Sequence, residues 1–110
     1  MEYEYRKVTA LVRPGVLEKV EAALQAIRVR GVSVSAVKGY GEYANFFERD
    51  WMDPQSRIEI FARVEEVPLI VKTILSAAST GGAGDGIVSV LPVEQVWRIR
   101  TRELIAKEDV

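Results

Sequence analysis

The spacing of apolar side chains along this chain switches between two periods, and the switches mark out its elements. Val8, Ala10 and Val12 alternate with their neighbours over 6–12, the period of a strand. Pro14-Gly15 stops it. Val16, Leu17, Val20, Ala23, Leu24 and Ile27 then recur at helical spacing, with Glu18, Lys19 and Glu21 on the wet side, and Gly31 closes the region. Val32, Val34 and Ala36 alternate with Ser33 and Ser35 in a second strand over 32–40, and 57–64 reads as a third. Pro68 suits the first turn of a second helix, with Leu69, Ile70, Val71, Ile74, Leu75 and Ala78 expected inside. A fourth strand is predicted over 87–91 and a short fifth over 96–100. Residues 103–110 are mixed in character and expected to be mobile.

The order β-α-β-loop-β-α-β is the split βαβ plan of an α+β, ferredoxin-like βαββαβ sandwich, here with an extra short C-terminal strand. Two helices should cover one face of an antiparallel sheet. The other face also carries apolar residues, and a homo-oligomer is the simplest way to bury it. Residues 41–55 fit neither period. With Tyr40, the segment gathers five of the nine aromatic residues, Tyr40, Tyr43, Phe46, Phe47 and Trp51, into twelve positions. A loop this aromatic is expected to pack against its own oligomer or a partner.

Composition narrows the chemistry. One domain, 1–110, is the expectation from length. Fifteen basic against sixteen acidic side chains leave a net charge of −1, which argues against nucleic acid as a partner. Histidine and cysteine are both absent. That removes the commonest general base, the usual nucleophile pairs and a disulfide framework, and no metal site is expected. No apolar run approaches the ~18 residues of a membrane span, and the first residues do not resemble a signal peptide, so a cytoplasmic location is expected. Ser35 and Lys38 match an acyl-transfer spacing, but residues three apart on a strand face opposite ways. The carboxylate pairs Asp50/Asp53 and Glu65/Glu66 read as solvated surface.

One constellation stands out. Thr80-Gly81-Gly82-Ala83-Gly84-Asp85-Gly86 places four glycines in six residues between a helix and a strand, more than a helix cap needs. Arg98-Ile99-Arg100-Thr101 puts two arginines on one face of the fifth strand, with Trp97 and Ile99 on the other. Glycine amides can approach an anion closely, and guanidinium groups add charge-assisted hydrogen bonds. Together these read as a phosphate site.

These motifs, with Arg13-Pro14, Val37-Lys38-Gly39-Tyr40-Gly41, Arg57-Ile58-Glu59-Ile60 and Val90-Leu91-Pro92-Val93-Glu94, resemble the PII signal-transduction family over nearly the whole chain. The resemblance implies a homotrimer that is not an enzyme, with a T-loop at about 42–55, a B-loop at 80–86 and a C-loop region at 97–102. It implies no covalent cofactor but an adenine nucleotide in each cleft between subunits. Gly84, Asp85 and Gly86 would cradle phosphate and ribose, and Arg98 and Arg100 would pair with the phosphates from the other side. Gly39 and Gly41 would let the loop base close, and Ser33 and Glu59 would lie near the adenine. Tyr43, Phe46, Phe47 and Trp51 would face an unidentified protein target.

The departures from that family are specific. The loop is short and lacks the tyrosine-bearing uridylylation motif, and Tyr43 stands where a glutamine helps hold Mg-ATP and 2-oxoglutarate. Ile87 replaces a phosphate-binding lysine, and Gln55 aligns with another. Loss of two cations should hurt the γ-phosphate most, so ADP or AMP is expected to bind better than ATP, without 2-oxoglutarate sensing. This pattern is similar to the carboxysome-associated, inorganic-carbon group, with bicarbonate as a candidate second effector and a membrane transporter or carbon-metabolism protein as candidate target. Three alternatives remain: a nucleotide-independent trimeric interaction module, a nitrogen-regulatory PII sensing ATP and ADP, and a ferredoxin-like enzyme.

Overall fold

β1 (Tyr5–Val12) is a central strand of a four-stranded antiparallel sheet in the computed structural model, which describes residues 4–39 and 53–105. A 3-10 turn at Pro14–Val16 leads into α1 (Leu17–Ala26), followed by β2 (Val32–Gly39) and β3 (Asp53–Arg63). A second 3-10 turn, Val64–Glu66, leads into α2 (Val67–Ala78) and then β4 (Gly86–Val93). The sheet order β2-β3-β1-β4 is the expected ferredoxin-like arrangement. Pro68 sits in the first turn of α2, where its missing N–H has no cost. Glu66 caps that entry by accepting from the Arg63 amide at 3.1 Å.

Strand alternation sends Val8, Ala10 and Val12 of β1 and Ile58, Ile60 and Ala62 of β3 to the helix-covered face, where they bury against Val20, Leu24, Ile70 and Ile74. The inward positions of α2 are Ile70, Ile74, Ala77 and Ala78. Leu69 and Leu75, expected inside, are 54% and 55% exposed. The apolar run around them exceeds what one helical stripe can bury, and the period assigns these two to the flanks.

The opposite face is only partly apolar. Leu11, Phe61, Ile87 and Leu91 flank a polar row in which Ser33, Glu59, Thr9 and Ser89 lie level across all four strands. Glu59 is paired with Lys7 at 3.2 Å, while the buried Thr9 hydroxyl has no hydrogen-bond partner. Phe61 and Leu91 are half-exposed.

Two boundaries differ from expectation. β3 begins at Asp53, so residues 53–55 belong to the strand rather than the loop; pairing of Val37 with Gln55 and Gly39 with Asp53 extends it where hydrophobic periodicity gives no signal. The C-terminal region folds as a hairpin, with β5 (Trp97–Arg98) paired to β6 (Glu103–Leu104). The expected fifth strand is cut short because the Arg102 amide bonds back to the Arg98 carbonyl at 2.8 Å and closes a turn. Arg100 therefore lies in that turn, not on a strand face with Arg98. Trp97 and Ile99, placed by sequence on the other face of that strand, are 55% and 93% exposed in the protomer. Glu103 and Leu104, expected to be mobile, are held in β6.

The helix register has a direct test. Ile74→Ala, at a fully buried position, should destabilise the fold by about 2–5 kcal/mol by urea denaturation, whereas Leu75→Ala next to it should stay under about 1 kcal/mol.

Candidate functional site

The glycine-rich turn is organised by one carboxylate. Asp85 accepts from the Thr80 amide at 2.7 Å, the Gly81 amide at 2.9 Å and Arg13 Nε at 3.1 Å, and also from the Thr80 hydroxyl. Four donors occupy its four acceptor positions. The Thr80 hydroxyl bond and then the Thr80 amide bond hold the Asp85 carboxyl well below the usual carboxylate range; partial desolvation opposes them, and Arg13 and the Gly81 amide reinforce them. The amides of Ala83 and Gly84 are not among those the turn uses internally. Free amides of this kind in a glycine-rich turn are able to donate to an anion.

Two further contacts explain the glycines. Gly86 has φ +102°, and a Cβ there would lie 1.7 Å from the Leu11 carbonyl oxygen. At Gly82 and Gly84 a Cβ would meet the Arg13 guanidinium at 2.8 and 2.9 Å. Arg13 thus packs beneath the loop as well as pairing with Asp85. Thr80 opens the glycine-rich motif but has no individual role expected from sequence, and Arg13 has no expected place in the site. Arg13 lies 72 positions from Asp85, and only the β1–β4 register, Val12 beside Gly86, brings them together. An apolar hollow of about 150 Å³ adjoins the loop between α2 and β4. The residue after Gly86 is Ile87, beside Leu11 on the open sheet face, and it offers hydrocarbon where a lysine would offer charge.

Register also places the other candidates. Gly39 pairs with Asp53, and Ala36, Ser56, Val12 and Gly86 lie on one level. Gly39 and the glycine turn therefore sit at the same end of the sheet. Ser33 and Glu59 are direct cross-strand neighbours, three positions further in. Gln55, near the Gly39 end, is buried with its Oε1 unpartnered. Gly41, Tyr43, Phe46, Phe47 and Trp51 lie outside the described residues.

Arg98 and Arg100 are elsewhere. Their hairpin follows the far end of β4, and the Tyr5 hydroxyl at the start of β1 fixes it by donating to the Ile105 carbonyl at 2.9 Å. The eight residues of β4 span about 23 Å, so one protomer keeps the arginines and the glycine turn at opposite ends of the sheet. Among the described residues no group of His, Cys, Asp or Glu has the geometry of a metal site, and no helix is long and apolar enough to cross a membrane.

Comparison with known proteins agrees with this architecture. Residues 5–103 match the family described as Nitrogen regulatory protein P-II. The chain is 38% identical over 108 residues to a Nitrogen regulatory protein P-II homolog of Arabidopsis thaliana, covering 91% of itself and 55% of that protein, so it spans about half of that relative's length. It is 37% identical over 105 residues to Nitrogen regulatory protein P-II 2 of Methanothermobacter thermautotrophicus, covering 89% of itself and 91% of that protein. The crystal structure of Arabidopsis thaliana PII bound to citrate matches with a TM-score of 0.83 at 37% identity, over 99% of this chain and 94% of that one.

Two expectations test the turn. Because Asp85 has a lowered pKa, its contribution to loop order is fully present above its ordinary value near 3.8 and is lost only as pH falls through the lowered one. Amide exchange at Thr80 and Gly81 should stay protected at pH 4 in the wild type, and should accelerate in Asp85→Asn even at pH 7. Gly86→Ala should lower stability by more than about 2 kcal/mol or prevent folding, whereas Gly82→Ala, which meets only side chains, the Arg13 guanidinium at 2.8 Å and the Thr80 hydroxyl at 3.3 Å, should fold, as thermal unfolding will show.

Proposed function

Because the chain belongs to the nitrogen regulatory protein P-II family, whose members are signalling regulators and not enzymes, we propose that it binds adenine nucleotide in clefts between the subunits of a homotrimer and regulates a protein target through residues 42–55. One observation carries the cleft. The glycine turn and the arginine hairpin are the two anion-receptive features, and about 23 Å of β4 separates them. They can share a ligand only if the hairpin of one subunit reaches the turn of another. The exposed Trp97, Ile99 and Leu104 of the hairpin and the half-apolar open sheet face give such neighbours a surface to cover.

Within the cleft the roles divide by chemistry. The Ala83 and Gly84 amides face phosphate, with Gly86 giving the close backbone approach. Asp85, with its carboxylate filled by internal donors, shapes the turn, and reaching a ribose would require it to release one of them. Arg98 and Arg100 of the neighbour supply charge. Ser33 and Glu59 sit at the adenine end, and Gly39 and Gly41 at the loop base. Hydrocarbon at Ile87 and a neutral amide at Gln55 remove two cations that a γ-phosphate would use, which favours ADP or AMP over ATP. The space so left suits a small anion, with bicarbonate the candidate and a transporter or carbon-metabolism protein the candidate target. That a protein of this fold has been solved bound to citrate supports an anion-receptive scaffold.

A second reading, a nitrogen-regulatory PII sensing ATP and ADP, is favoured by the relatives' description as nitrogen regulatory proteins P-II, matched over 89% of this chain. Calorimetry separates the two. With AMP, ADP and ATP, with and without bicarbonate and 2-oxoglutarate, the first reading expects ADP or AMP tightest and no effect of 2-oxoglutarate. ATP tightest with 2-oxoglutarate dependence establishes the second. Arg98→Ala with Arg100→Ala should weaken nucleotide at least about a hundredfold, from roughly 1.5–3 kcal/mol per charge-assisted contact, and leave the trimer intact by native mass spectrometry. Unchanged ADP binding in that variant would overturn the site assignment.

A further inference from the structure

The C-terminal hairpin has little of its own to hold it in place. β5 and β6 contribute two residues each, and an isolated hairpin of that length is marginal at best in water. Its turn and its base are closed by backbone bonds internal to it, Arg102 amide to Arg98 carbonyl and Ile105 amide to Val96 carbonyl, both at 2.8 Å. Trp97, Ile99 and Leu104 are each more than half exposed, so apolar burial within the protomer secures it weakly.

Tyr5 supplies an anchor. It is the first residue of β1, flanked in the sheet by Arg63 on one side and Val93 on the other, and its side chain is buried. Its hydroxyl reaches across one hundred positions of sequence to donate to the Ile105 carbonyl at 2.9 Å. The acceptor directly follows β6, and β6 pairs with β5 residue by residue, Leu104 with Trp97 and Glu103 with Arg98. A hold on Ile105 is therefore passed through the ladder to Arg98. Phenylalanine would fill the same space without the donor, so the hydroxyl is the part of this side chain that addresses the hairpin.

We propose that Tyr5 is a positioning residue of the nucleotide site. It does not touch the ligand; its hydroxyl holds the hairpin where Arg98 and Arg100 can reach the glycine turn of a neighbouring subunit. This rests on the nucleotide reading above. A hairpin fixed before the ligand arrives spends no affinity on being ordered, whereas an untethered one must be ordered at each binding event. The anchor lies in a central strand of the sheet, so the arginines inherit the rigidity of the core rather than the mobility of a chain end.

The test compares the full chain with Tyr5→Phe. The variant should remain trimeric by native mass spectrometry, and its amide exchange should accelerate at Arg102 and Ile105 while Val8 and Ile58 keep their protection. Calorimetry should show ADP weakened about fivefold, the scale of one neutral hydrogen bond. Added to Arg98→Ala with Arg100→Ala, and measured at raised ligand concentration, Tyr5→Phe should cost less than about twofold more, because the tether acts only through those arginines. Unchanged ADP affinity, an equal loss in both backgrounds, or exchange accelerated throughout β1 and β3 would overturn the role. If the wild type binds no adenine nucleotide, the nucleotide reading itself fails and this inference with it; if the wild type binds and Tyr5→Phe matches it, only this inference fails.

Discussion

The approach of Gly86 to the Leu11 carbonyl is the contact on which the arrangement turns. No side chain fits between them, so only glycine lets β4 enter the sheet at that point. Once Gly86 is set beside Val12, every later residue of β4 is placed by the antiparallel register, ending with Val93 opposite Tyr5. The glycine turn must then sit over the end of β1, where Arg13 waits beneath it. The C-terminal hairpin must start at the other end. One backbone contact thus sets the glycine turn and the arginine hairpin at opposite poles.

The pole at the glycine turn is built from internal satisfaction. Asp85 binds the first amides of its own loop and the Arg13 guanidinium, a capped and charge-balanced knot that holds its shape before any ligand arrives. The pole at the hairpin is the reverse. Its arginines are exposed and crowded, none of them ion-paired among the described residues, and its apolar residues are uncovered. On the proposed reading, a preorganised cradle of amides and an uncovered cluster of cations would be complementary halves of a phosphate site.

Much of the scaffold is legible in the residue pattern. Period-two spacing at Val8, Ala10 and Val12, and helical spacing at Val20, Leu24, Ile70 and Ile74, correctly identify the core, because burial on one face is what those periods record. The same signal overreaches at Leu69 and Leu75, where apolar residues are more numerous than inward positions. It is silent at 53–55, where a strand is made by its partner's hydrogen bonds rather than by its own side chains. The four glycines advertise the turn, but nothing local announces that Arg13 braces it, since that contact exists only after β1 and β4 pair. The hairpin misleads for a related reason. Alternation from Val96 to Arg100 imitates a strand, and the backbone bond from Arg102 ends it two residues in.

The bond between the Tyr5 hydroxyl and the Ile105 carbonyl ties the hairpin to the first residue of the strand whose last residues support the glycine turn. If a nucleotide joins the hairpin of one subunit to the turn of the next, it is also a crosslink of the assembly. Its binding free energy then enters the association constant of the subunits. By thermodynamic reciprocity, dilution that separates subunits weakens ligand by the same factor by which ligand resists dissociation. Apparent affinity for such a protein is therefore a property of its concentration as well as of its site.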